Sequence, residues 1–320
     1  MRGKILVVGS SNIDMVIKAP KFPLPGETVL GGNFFMNPGG KGANQAVAAA
    51  RLGAHVTFIA KLGNDIFGRQ AMQQFQRENI ETRYVTMDPD NPSGVALINV
   101  DGKGDYCISV APGSNAQLKP SDIEVALDEA EAGTILLLQL EIPLNTVEYV
   151  IRESYRKGLR VLLNPAPFQV LSPDLFSKLY LITPNEMDAE LLTGIRITDM
   201  ESIRKAARKL QSQGVPNVIV TLGDRGAYLL TEGGESLTPA PIVEAIDTTA
   251  AGNCFNGALA VALSENQSLE EAVSFACKVA SISVTRMGAQ ASLPYRKEVD
   301  IVPPSAPTLS RKKQTKSLIK

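Results

Sequence analysis

Short branched-aliphatic runs recur along the chain: ILVVG at 5–9, TILLLQL at 134–140, RVLLNPA at 160–166, LYLIT at 179–183 and NVIVTLG at 217–223. A strand exposed on one side would alternate apolar and polar residues. Continuous runs separated by helical periodicity instead predict a parallel sheet covered on both faces. The covering helices are predicted at 43–52, 65–78, 121–131, 144–157, 199–213, 251–264 and 269–285. Asp65, Ser121 and Asp199 stand where N-caps belong, and Gly53, Gly158 and Gly214 where helices stop. Two stretches, 14–37 and 93–110, break the rhythm with alternation and Gly-Glu or Asp-Gly turns, which predicts antiparallel strands in a small sheet lying over the main one. The expected architecture is therefore α/β. It has a doubly wound, mostly parallel central sheet with helices on both faces, plus a small antiparallel β lid, in one domain spanning 1–302. From Pro303 to Lys320 the periodicity is lost among Pro, Ser, Lys and Arg, which predicts a disordered basic tail.

Composition narrows the classes without naming a ligand. With 44% hydrophobic and 20% charged residues, 320 residues suffice for a large core and exclude collagen-like, disordered and disulfide-scaffold chains. Lysine plus arginine total 32 against 33 acids, so no nucleic-acid or membrane partner is expected. Cys107, Cys254 and Cys277 form neither a CxxC pair nor a zinc set, which fits a reduced cytoplasmic setting. The first apolar run ends at Gly9-Ser10-Ser11-Asn12, too soon for a signal peptide or a membrane span.

Polar residues fall where the apolar runs end: Asn12 and Asp14 after the first, Glu141 after the second, then Asn164, then Asn185 with Asp188, then Thr221 with Gly223. Open α/β sheets bind ligands beyond the carboxyl ends of their strands, so these groups are expected to converge on one site. Two glycine-bearing loops lead into helices. The first, Asn37-Pro38-Gly39-Gly40-Lys41-Gly42-Ala43-Asn44-Gln45, is not a P-loop, because Gly42 stands where a metal-binding Ser or Thr is required. A GxGxxG dinucleotide fingerprint is also missing after the first strand. The second loop, Asp247 to Gly257, enters its helix through small residues that leave backbone N–H groups free for an anion, an arrangement suited to phosphoryl transfer. His55 reads as a structural or surface residue, and Asp101 and Asp105 as turn residues without a role.

Together the segments GSSNID at 9–14, GGKGANQ at 39–45, LNPAP at 163–167, TPNE at 183–186, VTLGDRGA at 220–227, DTTAAGNCFNGA at 247–258 and VTRMGAQ at 284–290 resemble the ribokinase-like carbohydrate kinase family from about residue 4 to residue 300. The resemblance implies the corresponding fold and an ATP-dependent transfer to the 5-hydroxyl of D-ribose. Asn12, Asp14, Gly40, Lys41, Gly42, Asn44 and Glu141 would bind the sugar, with Asn12 meeting its 2-hydroxyl. Asn185, Thr221, Gly223, Gly226, Gly252 and Cys277 would line the ATP site, and Ala250, Ala251, Gly252 and Asn253 would present the anion hole. Magnesium would be organised by Asn185 and Asp188, the latter one methylene shorter than the family's Glu. A potassium ion would sit beside the loop at Asp247, Thr249, Ser283, Arg286, Gly288 and Ser292, mostly on backbone carbonyls. A homodimer through the lid is implied as well.

One departure bears on the chemistry. At position 253 the family carries an Asp that takes the proton from the attacking hydroxyl, and this chain carries Asn. A neutral amide keeps the backbone N–H but cannot serve as that base, so the resemblance implies a slow or silent kinase with an intact cleft. A non-catalytic ribose- or nucleotide-binding protein, and another sugar or nucleoside kinase of the same fold, stay open as alternatives.

Overall fold

The computed structural model describes residues 3–301, so the predicted tail lies outside the described residues. The first half of the chain runs β1 (Lys4–Val8), β2 (Asn12–Lys18), β3 (Asn33–Gly39), α1 (Lys41–Arg51), β4 (His55–Gly63), α2 (Ile66–Arg77), β5 (Glu81–Asp88), β6 (Gly94–Val100), β7 (Tyr106–Ala111), α3 (Glu124–Asp128) and β8 (Ile135–Leu138). The second half runs α4 (Leu144–Arg156), β9 (Arg160–Leu163), β10 (Leu181–Ile182), α5 (Glu186–Thr193), α6 (Met200–Ser212), β11 (Val218–Thr221), β12 (Ala227–Thr231), β13 (Gly234–Thr238), α7 (Ala251–Ser264), α8 (Leu269–Ser283) and α9 (Arg296–Ile301).

Nine strands form the central sheet in the order β13-β12-β11-β10-β9-β8-β1-β4-β5. Pairing is parallel from β11 to β5, and β12 and β13 close the other edge as an antiparallel hairpin. The continuous apolar runs owe their composition to the two helical layers. Ile5 and Val7 point into a core built with α1, α2, α7 and α8, whereas Leu6 and Val8 point into a second core built with α3, α4, α5 and α6. Each buried Val, Leu or Ile contributes on the order of 1.5–3 kcal/mol, so both layers are firmly held. Among the described residues no helix is long and apolar enough to cross a membrane.

The lid is a four-stranded sheet in the order β3-β2-β6-β7. Its outer pairings are antiparallel as expected, and the central β2–β6 pairing is parallel. The turn before β7 is closed by Asp101, whose Oδ1 accepts from the N–H groups of Lys103 and Asp105. His55 is exposed at the start of β4.

Helix ends follow the sequence signals at most positions. Asp65 and Asp199 cap α2 and α6 through side-chain bonds, and Gly53, Gly158 and Gly214 take positive φ after α1, α4 and α6. Ser121 is not a cap. It lies inside a single 3-10 turn, Pro120–Asp122, where Asp122 accepts from the Lys119 N–H, so the helix expected over 121–131 shrinks to that turn and the five-residue α3. Helix α5 is an addition, started by an Asn185–Asp188 capping box.

Candidate active site

A cleft of about 1070 Å3 lies between the lid and the carboxyl edge of the central sheet. The period-2 geometry of the lid decides which of its residues look inward: Asp14, Val16 and Lys18 of β2, Asn37 and Phe35 of β3, and Ala96, Ile98 and Val100 of β6. At the base of the lid two glycines make room. A Cβ on Gly39 would stand 2.3 Å from both carboxylate oxygens of Asp14, and Gly40 turns the chain into α1 at φ 86°.

Six of the seven residues expected from the sequence to bind the sugar meet here, Gly42 being the exception. Glu141, just past β8, accepts from the Ser10 hydroxyl and from the Lys41 N–H (2.9 Å), and its second oxygen lies 3.6 Å from Lys41 Nζ. Asn12 is oriented by Asn115, whose Nδ2 donates to Asn12 Oδ1 at 2.8 Å, so Asn12 Nδ2 is the group left for a ligand. Asn44 Oδ1 is buried on the cleft wall and has no hydrogen-bond partner among the described residues. Burial, together with the negative charge of Glu141, raises Asp14 to about 6, and Lys41 offsets this only in part. An orphan acceptor beside a reluctant carboxylate is an arrangement that hydroxyl donors would satisfy. Gly42 does not line the cleft. It packs against Gly9 and Ser10, where a Cβ would come within 2.7 Å of backbone.

Lining the same cleft, α7 begins without a side-chain cap, with Ala250 in the left-handed region at φ 61° leading into its first turn. The N–H groups of Gly252 and Asn253 have no intrahelical acceptor, as at any helix start, and carry the positive end of the helix dipole. Ala251 is less available, since its N–H donates to the Thr248 carbonyl at 3.2 Å. Asn253 Oδ1 accepts from Gln45 Nε2 at 3.2 Å. Gln45 itself was no sequence candidate, although it closes the GGKGANQ segment; Asn115 carried no signal at all.

Asn185, Asp188 and Thr221 also line the cleft. Asn185 Oδ1 accepts from the Asp188 N–H (2.7 Å), and burial raises the Asp188 carboxyl above its usual range despite the Asn185 N–H that it accepts. Gly223 and Gly226 shape the turn from β11 to β12 and do not reach the cleft wall. Cys277 does not reach it either: it is buried in the α7–α8 layer, its thiol pushed up to about 12 by burial alone.

Just before α7, Asp247 ties two segments together by accepting from the N–H groups of Thr249 (2.9 Å) and Gly288 (2.8 Å). Burial works against its ionisation, and these bonds outweigh it, leaving the carboxyl below its usual range. Ser283 and Ser292 are buried, and the Arg286 side chain is engaged by Glu298 at 2.7 Å. No group of three or more His, Cys, Asp or Glu side chains arranged to hold a metal occurs among the described residues.

The profile of the pfkB family carbohydrate kinases matches residues 2–296. The chain belongs to that family. Among relatives of this carbohydrate kinase, the ribokinase of Haemophilus influenzae is 42% identical over 93% of the chain and 97% of its own length. The ribokinase structure from Thermotoga maritima has a TM-score of 0.85 at 41% identity, covering 93% of this chain and 98% of that one. The Arabidopsis thaliana ribokinase complexed with ribose and ATP also reaches 0.85, at 30% identity with the same coverage. The matched span takes in the central sheet, the lid and every segment of this kinase's cleft from Asn12 to Ala289.

Proposed function

We propose that this carbohydrate kinase transfers the γ-phosphoryl group of ATP to O5 of D-ribose, giving D-ribose 5-phosphate and ADP, and that Asn253 makes the step slow. The observation that carries the reading is the pairing, across one cleft, of an orphaned Asn44 Oδ1 and a raised Asp14 with the uncapped start of α7. Asp14 and Asn44 would accept from vicinal hydroxyls, Asn12 Nδ2 would donate to a third, and the Gly252 and Asn253 N–H groups would face the charge that develops on the moving phosphoryl group. Asn185, Thr221 and Asp188 would lie along the nucleotide. The lone Asp188 carboxylate suits magnesium held largely through water, and when bound that ion would neutralise phosphate charge. A potassium ion would sit beside the loop tied by Asp247, on backbone carbonyls of Thr249, Ser283, Arg286, Gly288 and Ser292. A cytoplasmic homodimer joined through the lids completes the reading.

The transferred proton needs an acceptor. Asn253 cannot take it, so the hydroxyl proton must leave to water or phosphate, and loss of a positioned base slows such steps by roughly 10²- to 10⁴-fold. Coupled ADP release measured on this chain and on Asn253→Asp tests the proposal. The aspartate variant should turn over at least about a hundredfold faster, with ribose outcompeting fructose and adenosine. Asn253 also favours a second reading, a ribose- or nucleotide-binding protein without turnover. Silence in both chains, alongside calorimetric binding of ribose and a non-hydrolysable ATP analogue, would select it.

A further inference from the structure

Asn253 ends a chain of side-chain amides whose directions follow one from another. Asn164 Nδ2 donates to the Thr183 carbonyl (3.1 Å), an oxygen that can only accept, so Asn164 must turn its Oδ1 the other way. That Oδ1 accepts from Gln45 Nε2 at 3.2 Å, and Gln45 Oε1 accepts from Gln139 Nε2 at 2.6 Å. Gln45 and Gln139 are fully buried, so neither can exchange these partners for water. The remaining N–H of Gln45 Nε2 goes to Asn253 Oδ1 at 3.2 Å. Amide orientation is ordinarily ambiguous, and here a main-chain oxygen fixes it through two intermediates.

We infer that Gln45 is the positioning residue for side chain 253, holding one δ oxygen and thereby dictating which atom the cleft meets. In this chain that atom is Asn253 Nδ2, a donor where phosphoryl transfer needs an acceptor. With aspartate at 253 the same N–H would hold Oδ1 and leave Oδ2 facing the substrate hydroxyl. The inference deepens, and rests on, the reading of position 253 given above. A bond from Gln45 to the ionised carboxylate would also hold that carboxyl low. The charged groups sharing the cleft with position 253 are Asp14, Lys18, Lys41, Glu141, Asp188 and Asp247. None of them changes in the comparison that follows.

The test is a carbon-13 titration of the carboxyl introduced by Asn253→Asp, in the full chain, with and without Gln45→Met. Removing the donor should raise that titration by about one unit. It should also lower kcat about tenfold or more while ribose KM stays within about threefold, a split that a general loss of structure would not give. An unmoved titration overturns the inference. If Gln45→Met does not fold, Gln45→Glu keeps the shape and the acceptor for Gln139 while replacing the donor by an acid. It should raise the titration further, and failure to do so overturns the inference equally. A shifted titration in an Asn253→Asp chain that never releases ADP would uphold Gln45 and sink the kinase reading instead.

Discussion

Asp14 is the residue at which burial and the proposed sugar contact pull in opposite directions. The unfolded chain ionises this carboxyl near the ordinary aspartate value of 3.8, while the fold raises it to about 6, first through burial and then through Glu141. Between those values the native state binds more protons than the unfolded one, so this group's contribution to stability falls as pH rises through that window. Sugar hydroxyls that donate to the carboxylate would reverse the preference and favour the ionised form. Ribose affinity should therefore weaken below about pH 6, by up to about tenfold per pH unit, and Asp14→Asn should bind more weakly with a flattened pH dependence. Calorimetry at about pH 7 and about pH 5 checks this. An unchanged affinity would mean that Asp14 does not receive the hydroxyls.

Helices α1 and α7 carry the two halves of the site, Asn44 and Gln45 on one and Asn253 on the other, and Gly257 lets them meet. A Cβ there would lie 2.6 Å from Ala48 Cβ and 2.9 Å from the Gln45 carbonyl. Gly257→Ala gains about 1 kcal/mol of helix propensity, whereas overpacking against backbone costs about 1–3 kcal/mol, so the clash should win. Lower melting temperature and a larger loss of kcat than of ribose affinity are expected in the Asn253→Asp background, measured by thermal unfolding and ADP release. Neither Gly257 nor Gln45 could be picked out from the sequence, because their partners lie far along the chain; Gln45 and Asn253 are 208 residues apart. What could be read was local. Strands β1, β8, β9 and β11 announced themselves as unbroken apolar runs, while β4 and β5 are interrupted by Thr57, Lys61 and the half-exposed edge pattern of ETRYVTMD. The Asn185–Asp188 pair shows how one signal serves two ends. It was legible as candidate chemistry, yet the same spacing is a capping box, and the helix it starts went unread.

At the scale of the whole molecule the lid presents an apolar surface on both sides. Phe35, Tyr106, Ile108 and Val110 are exposed on the face toward the cleft, and Phe34, Met36, Ile17 and Leu97 are exposed on the opposite face. A single sugar cannot cover so much, and solitary soluble chains rarely leave contiguous apolar patches of several hundred Å2 bare. Among the described residues both edges of the lid, β3 and β7, are also open to pairing. A second copy of the chain, laying its lid on this one, would cover the surface with a matching patch, as two-fold symmetry requires. Sedimentation should then report roughly twice the 34.2 kDa chain mass. Leu97→Glu and Ile108→Glu charge opposite faces of the lid, so whichever variant halves the sedimenting mass identifies the buried face. Should the parent chain sediment as a single copy, the apolar lid would need another explanation, and the homodimer would be withdrawn.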